Sequence, residues 1–221
     1  MTVAGTPTYA SDVAFTGTVK AIQARKGSRL AYARMEAGGS WESSITDDLK
    51  SEIEAQTSVF LATANAQGQP YIQHRGGPAG FLRVLDEHTI AFVDFAGNRQ
   101  YITQGNLEEN PKAQLFLIDY AQRRRIKVWG TARVMDGDEA LLRRLMPKDY
   151  RARPEQVVLF TVTAWDVNCS QHIPQRFEAA DVEAAIRTRD ERIAALEAEV
   201  QRLRRSRVTL APPTPAAGSD N

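Results

Sequence analysis

The sequence lacks the features that mark several classes of protein. Among its 221 residues there is one cysteine, Cys169, so no internal disulfide can form and a reducing compartment is expected. It has no run of about 18 apolar residues, which a membrane-spanning helix needs. Its 28 basic and 27 acidic residues give a net charge of +1, whereas a nucleic-acid binder usually has a clear basic excess. We therefore expect no membrane and no nucleic acid among its partners.

Common cofactor and metal motifs are also missing. The sequence contains neither a P-loop nor a G-x-G-x-x-G segment. Cys169 and His172 are spaced like zinc ligands, but a structural zinc needs four ligands and the chain has 3 histidines, so we predict no metal site. Residues 1–15 lack the basic and apolar segments of a secretory signal. A cytoplasmic location is the resulting expectation.

Short strands dominate the pattern between residues 46 and 176. Three helices are predicted at the margins: one capped by Thr46, one capped by Asn98 and running over 99–109, and one over 138–146. The predicted strands, mostly linked as hairpins, cover residues 58–64, 70–75, 81–85, 88–94, 112–119, 124–135 and 156–167. This order predicts a mainly β fold with a closed or half-closed antiparallel barrel, and not a doubly wound sheet.

The two ends of the chain differ from this central domain. Residues 1–45 show no lasting period and are predicted to form an arm, either mobile or wrapped around the core. Residues 177–206 are predicted to form an amphipathic helix that pairs with a partner subunit or packs on its own barrel. Its apolar residues follow alternating steps of three and four, which Arg189 interrupts: Val182, Ile186, Ile193, Leu196, Val200 and Leu203. Residues 207–221, with three prolines, are predicted to be a disordered tail.

Two clusters suggest a binding site for an anionic ligand. The segment His74-Arg75-Gly76-Gly77-Pro78 closes a predicted strand, and its paired glycines allow a ligand close to the backbone. The segment 94–101 places Arg99 at a predicted helix start, where unpaired N–H groups and a guanidinium favour phosphate. Each has an ordinary alternative, namely a tight turn with a surface arginine and a capped helix with an exposed arginine.

A third cluster lies on the strand predicted over residues 124–135. Strand alternation places Arg125, Lys127 and Trp129 on one face. Two cations and an indole are unsuited to a core but suit the floor of a site for an aromatic ligand that carries a phosphate. The alternative is a solvent-exposed edge strand whose charges oppose aggregation.

Taken in order, these segments resemble the pyridoxamine 5'-phosphate oxidase-like FMN-binding split-barrel proteins, especially a bacterial branch with a long N-terminal arm. The residues that carry the resemblance are Ser11–Thr16, Gln69–Pro78, Asp94–Tyr101, Gly105–Leu107, Arg123–Gly130 and Trp165–Ile173. The resemblance implies a homodimer of six-stranded split barrels, with FMN in two equivalent clefts at the subunit interface.

The resemblance also implies roles for individual residues. Asn98, Arg99 and Gln100 would hold the FMN phosphate, and Arg125 and Lys127 would reach the phosphate or the ribityl chain. A second group would run along the isoalloxazine ring: Gln73, His74, Arg75, Gly76 and Gly77. A third group would close the pocket: Trp165, Asn168, Gln171, His172 and Arg176.

This sequence departs from pyridoxamine phosphate oxidases in two respects. Gln100 stands where those enzymes carry a lysine beside the phosphate-binding arginine, and their C-terminal Arg-x-His element for the vitamin's phosphate is not recognisable in 171–176. Oxidation of vitamin B6 is therefore not expected. We expect an FMN-dependent oxidoreductase that acts on a small molecule, with His74 or His172 as a proton donor.

Two alternatives remain at this level. One is a flavin-binding module without its own catalysis, which transfers electrons to, or senses, a redox partner protein. The other keeps the fold but binds haem or a deazaflavin in the same cleft.

Overall fold

The computed structural model describes residues 9–39, 41–168 and 170–209, with side chains up to residue 206. The chain divides into two compact units, one ending at Gln175 and the other beginning at Arg176. Cys169 and residues 210–221 of the predicted tail lie outside the described residues, while 207–209 continue the last helix.

The first unit is built on one antiparallel sheet. Its strands, in chain order, are β1 (Ser58–Ala64), β2 (Pro70–Gly76), β3 (Arg83–Asp86), β4 (Thr89–Phe95), β5 (Lys112–Asp119), β6 (Arg124–Met135) and β7 (Pro154–Asn168). They are hydrogen-bonded in the order β2-β1-β5-β6-β7-β4-β3. The predicted antiparallel β fold is confirmed. The sheet has seven strands where the resemblance implied six, and no pairing joins its outer strands β2 and β3 among the described residues.

Helices flank this sheet: α1 (Gly17–Arg25), α2 (Arg29–Ala37), α3 (Asp47–Ala55), α4 (Ile102–Glu109) and α5 (Glu139–Leu145). The predicted cap of α3 is confirmed, since the Thr46 hydroxyl accepts a hydrogen bond from Leu49 N–H at 3.2 Å. The described part of the second unit contains the long helix α6 (Ala179–Thr209).

Alternating residues of the strands form the main core of the first unit. Val59 and Leu61 of β1 and Leu115 of β5 are fully buried together with Ile53 of α3. The buried Asn106 of α4 donates a hydrogen bond to Thr63 Oγ1 at 3.0 Å. Because this bond fixes α4 against β1, it also fixes the loop that precedes α4.

Within the predicted arm, residues 17–25 and 29–37 form α1 and α2, although the sequence shows no lasting period there. These helices lack a clear apolar face because their buried side chains are polar. The buried Glu36 carboxylate accepts from Ser11 Oγ at 3.3 Å, lies 3.5 Å from Lys20 Nζ and pairs with Arg29. A hydrophobic period cannot reveal a helix that is held by an ion network.

Residues 41–45 attach this N-terminal region to the sheet. Trp41 stacks on Trp129 of β6 with ring centroids 4.7 Å apart. Trp165 of β7 donates its indole N–H to the Ser44 carbonyl at 2.8 Å. This segment therefore covers part of the face on which Lys127 and Trp129 lie.

Candidate functional site

A cleft of about 620 Å³ lies between β2, the end of β4 and the loop before α4. Its volume is within the range of roughly 300–1,000 Å³ that is usual for small-molecule sites. Seven of the residues predicted from the sequence to hold a cofactor border it: Gln73, His74, Arg75, Gly76, Asn98, Arg99 and Gln100.

Strand β2 forms one wall of the cleft. Gln73 is half-buried, and its Oε1 accepts a hydrogen bond from the Tyr71 hydroxyl at 2.5 Å. Alternation turns His74 to the other face of β2, where its Nε2 lies 2.9 Å from Ser58 Oγ and its ring packs edge-on against Phe60. The imidazole of His74 is thus oriented by Ser58 and Phe60.

Arg75 belongs to an ion pair at the base of the cleft. Its Nε lies 2.7 Å from Asp94 Oδ1, without the alignment of a hydrogen bond, and its Nη2 donates to Oδ2 at 3.2 Å. Gln156 of β7 donates to the same carboxylate at 3.2 Å. Asp94 therefore balances the charge of Arg75 and fixes the guanidinium against β4.

The two glycines after Arg75 have little free space around them. A Cβ at Gly77 would lie 2.7 Å from Phe81 Cβ, and Gly77 N–H donates to the Thr57 carbonyl at 3.1 Å. A Cβ at Gly76 would lie 3.2 Å from the Thr57 carbonyl oxygen. A side chain would therefore clash at Gly77 and be crowded at Gly76, and the N–H of Gly77 already has a protein acceptor.

The loop before α4 differs from the predicted capped helix. The helix begins at Ile102 and not at residue 99, because Asn98 Oδ1 accepts from Gln100 N–H at 3.4 Å instead of from the first turn of the helix. Arg99 and Tyr101 adopt left-handed backbone conformations, with φ of 58° and 53°. The result is an exposed, folded-back loop that presents Arg99 and Gln100 at the cleft.

Tyr101 closes one side of this loop. Its hydroxyl donates to Glu155 Oε1 of β7 at 2.9 Å, and this hydrogen bond raises the pKa of Tyr101. Since Glu155 is engaged by Tyr101 and Asp94 by Arg75, Arg99 is left as a cation of the cleft that has no carboxylate within ion-pair distance in the described part of the chain.

A second polar cluster lies on β6 and β7, outside the residues that line the cleft. Alternation on β6 is as predicted, with Arg125, Lys127 and Trp129 half-buried on one face. The alternative of an edge strand is wrong, because β6 lies between β5 and β7. Lys127 pairs in register with Asp166 and Arg125 with Asn168.

Two atoms of this β6–β7 cluster have unused hydrogen-bonding capacity. Arg125 Nε and Asn168 Oδ1 are buried and form no hydrogen bond within the described residues. Asn168 uses its amide nitrogen to donate to Asp166 Oδ2 at 3.2 Å. A buried donor and a buried acceptor left in this state are costly unless another group binds them.

Burial raises the pKa of Asp166, and the nearby Lys127 charge and the Val167 N–H oppose this effect. Because the folded chain holds this proton more tightly than the unfolded chain, the contribution of Asp166 to stability falls as pH rises through its folded-state pKa.

We expect Lys127→Met to raise the pKa of Asp166 further, because it removes the cation that favours the carboxylate. The measurement is a carboxyl ¹³C NMR titration of Asp166, with Lys112→Met at an exposed end of β5 as the control. A pKa that stays constant or falls in Lys127→Met would contradict this arrangement.

The sequence also places the chain among known proteins. The sequence model of a family described as pyridoxamine 5'-phosphate oxidase matches residues 45–169, more than half of the chain. The chain belongs to the pyridoxamine 5'-phosphate oxidase family. No curated protein matches the sequence.

Several solved structures are similar to this family member at low identity. HupZ from Group A Streptococcus is 22% identical, with 60% of this chain and 99% of that chain covered and a TM-score of 0.46. A Clostridium acetobutylicum protein related to general stress protein 26 is 15% identical, with 59% and 92% covered and a TM-score of 0.40. An FMN-binding protein from Syntrophomonas wolfei is 13% identical, with 69% and 98% covered and a TM-score of 0.39.

The pocket-closing residues that the resemblance implies have different surroundings in this family member. Trp165 packs against the core and donates a hydrogen bond to the Ser44 carbonyl, whereas Asn168 belongs to the β6–β7 cluster. Gln171 and His172 are exposed in the turn after β7, and Arg176 begins the second unit. None of the four that belong to the first unit lines the cleft formed by the described residues.

The sequence-based prediction misses the roles of four polar residues of the cleft and of the β6–β7 cluster: Asp94, Glu155, Gln156 and Asp166. Asp94 is part of a quoted motif, but its pairing with Arg75 depends on how β2 and β4 meet. Asp166 likewise lies in the segment Trp165–Ile173, but its place beside Lys127 depends on the register of β6 and β7. Glu155 and Gln156 carry no local signal, because their contacts arise from the register of β7. The structure shows no group of His, Cys, Asp and Glu side chains suited to a metal ion, and no helix able to cross a membrane, within the residues it describes.

Proposed function

We propose that this protein is an FMN-binding oxidoreductase of the pyridoxamine 5'-phosphate oxidase family that acts on a small, conjugated molecule. The observation that carries the proposal is the cleft in which the β2 wall and the Arg99 loop meet. Membership of this family supports a flavin as the cofactor. The polar residues that line the cleft, Arg99 among them, support binding of the flavin's phosphate group there. The single cysteine supports a cytoplasmic location.

The residues of the cleft suit a phosphorylated cofactor. Arg99 is an exposed cation without a carboxylate at ion-pair distance in the described chain, and its folded-back loop presents it at the cleft. Gln73 provides an amide on the opposite wall, held by Tyr71. We assign phosphate binding to Arg99, with Asn98 and Gln100, and orientation of the ring system to Gln73.

A homodimer is part of this proposal. Arg125 Nε and Asn168 Oδ1 are buried without a partner, yet their cluster does not line the cleft of the same chain. In a two-fold dimer, the β6–β7 cluster of one chain would complete the cleft of the other. Arg125 and Lys127 would then contribute to the anion site, and Asn168 would offer its free oxygen to the ligand.

FMN, when bound, would supply the centre that accepts a hydride or electrons. The chain itself would bind the phosphate, exclude water from one face of the cleft and hold a proton near it. His74 and His172 are the candidates for that proton, because an imidazole ring has nitrogens that can donate or accept a proton. Of the two, His74 belongs to the strand that forms a wall of the cleft, and its ring lies on the opposite face of that strand, beside Ser58.

The experiment is a visible absorption spectrum of the purified protein, taken before and after anaerobic addition of NADH or NADPH. A flavin spectrum that bleaches with a pyridine nucleotide is the expected result. A flavin that stays oxidised would favour the non-catalytic electron-transfer module, and a haem or deazaflavin spectrum would replace the cofactor. A colourless protein that does not bind added FMN would contradict the proposal.

A further inference from the structure

Helix α6 carries an apolar stripe that is exposed over its whole length. The helix has 31 residues, which corresponds to about 47 Å at 1.5 Å per residue. The six apolar side chains of the stripe are 42–54% exposed: Val182, Ile186, Ile193, Leu196, Val200 and Leu203. Large apolar side chains aligned in this way mark an interaction surface.

The spacing of the stripe is that of a coiled-coil seam. Counting Arg189, successive members are four and three residues apart in strict alternation, which is a repeat of 3.5 residues. A helix that packs on a globular surface shows a broader face with a period of 3.6. The narrow seam therefore favours a second helix as its partner and not the surface of a folded domain.

The residue types on the seam favour two parallel strands. In heptad notation Ile186, Ile193 and Val200 occupy the a positions, and Leu196 and Leu203 occupy d positions. β-Branched residues at a combined with leucine at d favour parallel dimers over trimers and tetramers.

The charges beside the seam fit a second copy of the same helix. In a parallel, in-register pair each g position faces the e position five residues later in the other chain. Arg192 would face Glu197 of the partner subunit, and Glu199 would face Arg204 of the partner subunit. Both pairs are of opposite sign. The existing contact of Glu199 with Arg202 in its own helix is 3.7 Å long and exposed, so it competes weakly.

Arg189 is the polar residue of the seam. It occupies a d position, where an in-register pair would place it beside Asp190 of the partner subunit at e. A shift by one heptad would place it beside Glu183 or Glu197 of the partner subunit instead, so Arg189 does not fix the register. The two g–e pairs do, because the shift would bring Arg192 opposite Arg204 of the partner subunit or Glu199 opposite Glu197 of the partner subunit. A polar layer of this kind lowers the stability of the pair.

We propose that α6 pairs with α6 of a second copy of this chain as a parallel, in-register, two-stranded coiled coil. About three heptads form a weak coiled coil on their own. A second contact between the same two copies would raise the effective concentration of the helices and strengthen the pair. The inference rests on α6 alone and does not depend on which cofactor the cleft binds.

The test uses the full chain with Cys169→Ser, so that only introduced cysteines react. Ile186→Cys and Leu203→Cys are made separately and incubated in a glutathione redox buffer; their positions are about 25 Å apart along the helix. The control is Ala198→Cys, an exposed position on the outer side of the same helix. We expect both seam variants to form disulfide-linked dimers at least about tenfold faster than the control.

Any of four outcomes would overturn the proposal. The first is a lack of cross-linking at both seam positions, and the second is an equal rate at Ala198→Cys. The third is cross-linking only in a mixture of Ile186→Cys with Leu203→Cys, which would indicate antiparallel helices. A trimeric mass in light scattering would likewise exclude two strands.

A charge exchange tests the pairing itself. Arg192→Glu in the Ile186→Cys background should slow cross-linking, because it places two carboxylates opposite each other, and adding Glu197→Arg should restore the rate. Cross-linking that is insensitive to Arg192→Glu would contradict the assigned pairing. None of these measurements involves flavin, so their failure would leave the proposed function untouched.

Discussion

Replacing Gly130 with alanine is expected to lower the free energy of unfolding by about 3 kcal/mol, through overpacking of a site that cannot relax. Gly130 is buried at the bulge where β6 and β7 change register. A Cβ there would lie 2.0 Å from the Thr161 carbonyl oxygen and 2.7 Å from Phe160 Cε1. The first obstacle is backbone and the second is a fully buried ring, so the two longest strands would have to separate.

The measurement is urea unfolding followed by far-UV circular dichroism, with Gly105→Ala as the control. Gly105 lies within α4, and a Cβ added there would meet no atom within 4 Å. Because alanine is a better helix former than glycine, Gly105→Ala should raise stability by roughly 0.5–1 kcal/mol. Similar effects of the two substitutions would mean that β6 and β7 do not approach as closely as the structure shows.

The second large effect concerns the proposed cofactor. Arg99→Ala is expected to weaken FMN binding by about 2 kcal/mol, or roughly thirtyfold in Kd, because a charge-assisted hydrogen bond to phosphate is lost. Arg75 cannot replace it, since its guanidinium is paired with Asp94. The measurement is titration of FMN fluorescence with the purified variants.

Arg25→Ala provides the matched control for this experiment. Arg25 is an exposed arginine in the last turn of α1 and does not line the cleft. Its removal changes the net charge by the same amount as Arg99→Ala but should leave the affinity for FMN unchanged. Equal losses in both variants would point to a general charge effect and would remove Arg99 from the proposed phosphate site.

The sequence is a good guide to the strands of this protein. Residue alternation predicts β1, β5 and β6 with the bounds that the structure has. The strand predicted over 81–85 is displaced, because Phe81 and Leu82 are buried in a bend and only Arg83–Asp86 pairs with β4. Apolar residues reveal burial, but they do not show whether the backbone that carries them is hydrogen-bonded to a neighbour.

The candidate site is harder to predict from the sequence than the strands are. The motifs around Arg75 and Arg99 indicate a binding site for an anion. They do not show that Asp94 forms an ion pair with Arg75, or that Arg99 has no such partner among the described residues. The N-terminal helices escape prediction for a related reason, since Glu36 is held by charges that come from separate segments. Polar contacts between distant residues have no period along the chain, so only the folded structure reveals them.

The attachment of residues 41–45 to the sheet gives the protein an intrinsic optical probe. The chain has 3 tryptophans, and all of them take part in this attachment: Trp41 stacks on Trp129, and Trp165 is bonded to Ser44. Two indoles stacked 4.7 Å apart should couple their electronic transitions and give a paired signal of opposite signs in circular dichroism. Release of the N-terminal region would abolish that signal and shift the fluorescence emission to longer wavelengths while the β spectrum persists. Circular dichroism and tryptophan fluorescence, without any added label, would therefore distinguish detachment of this region from unfolding of the sheet.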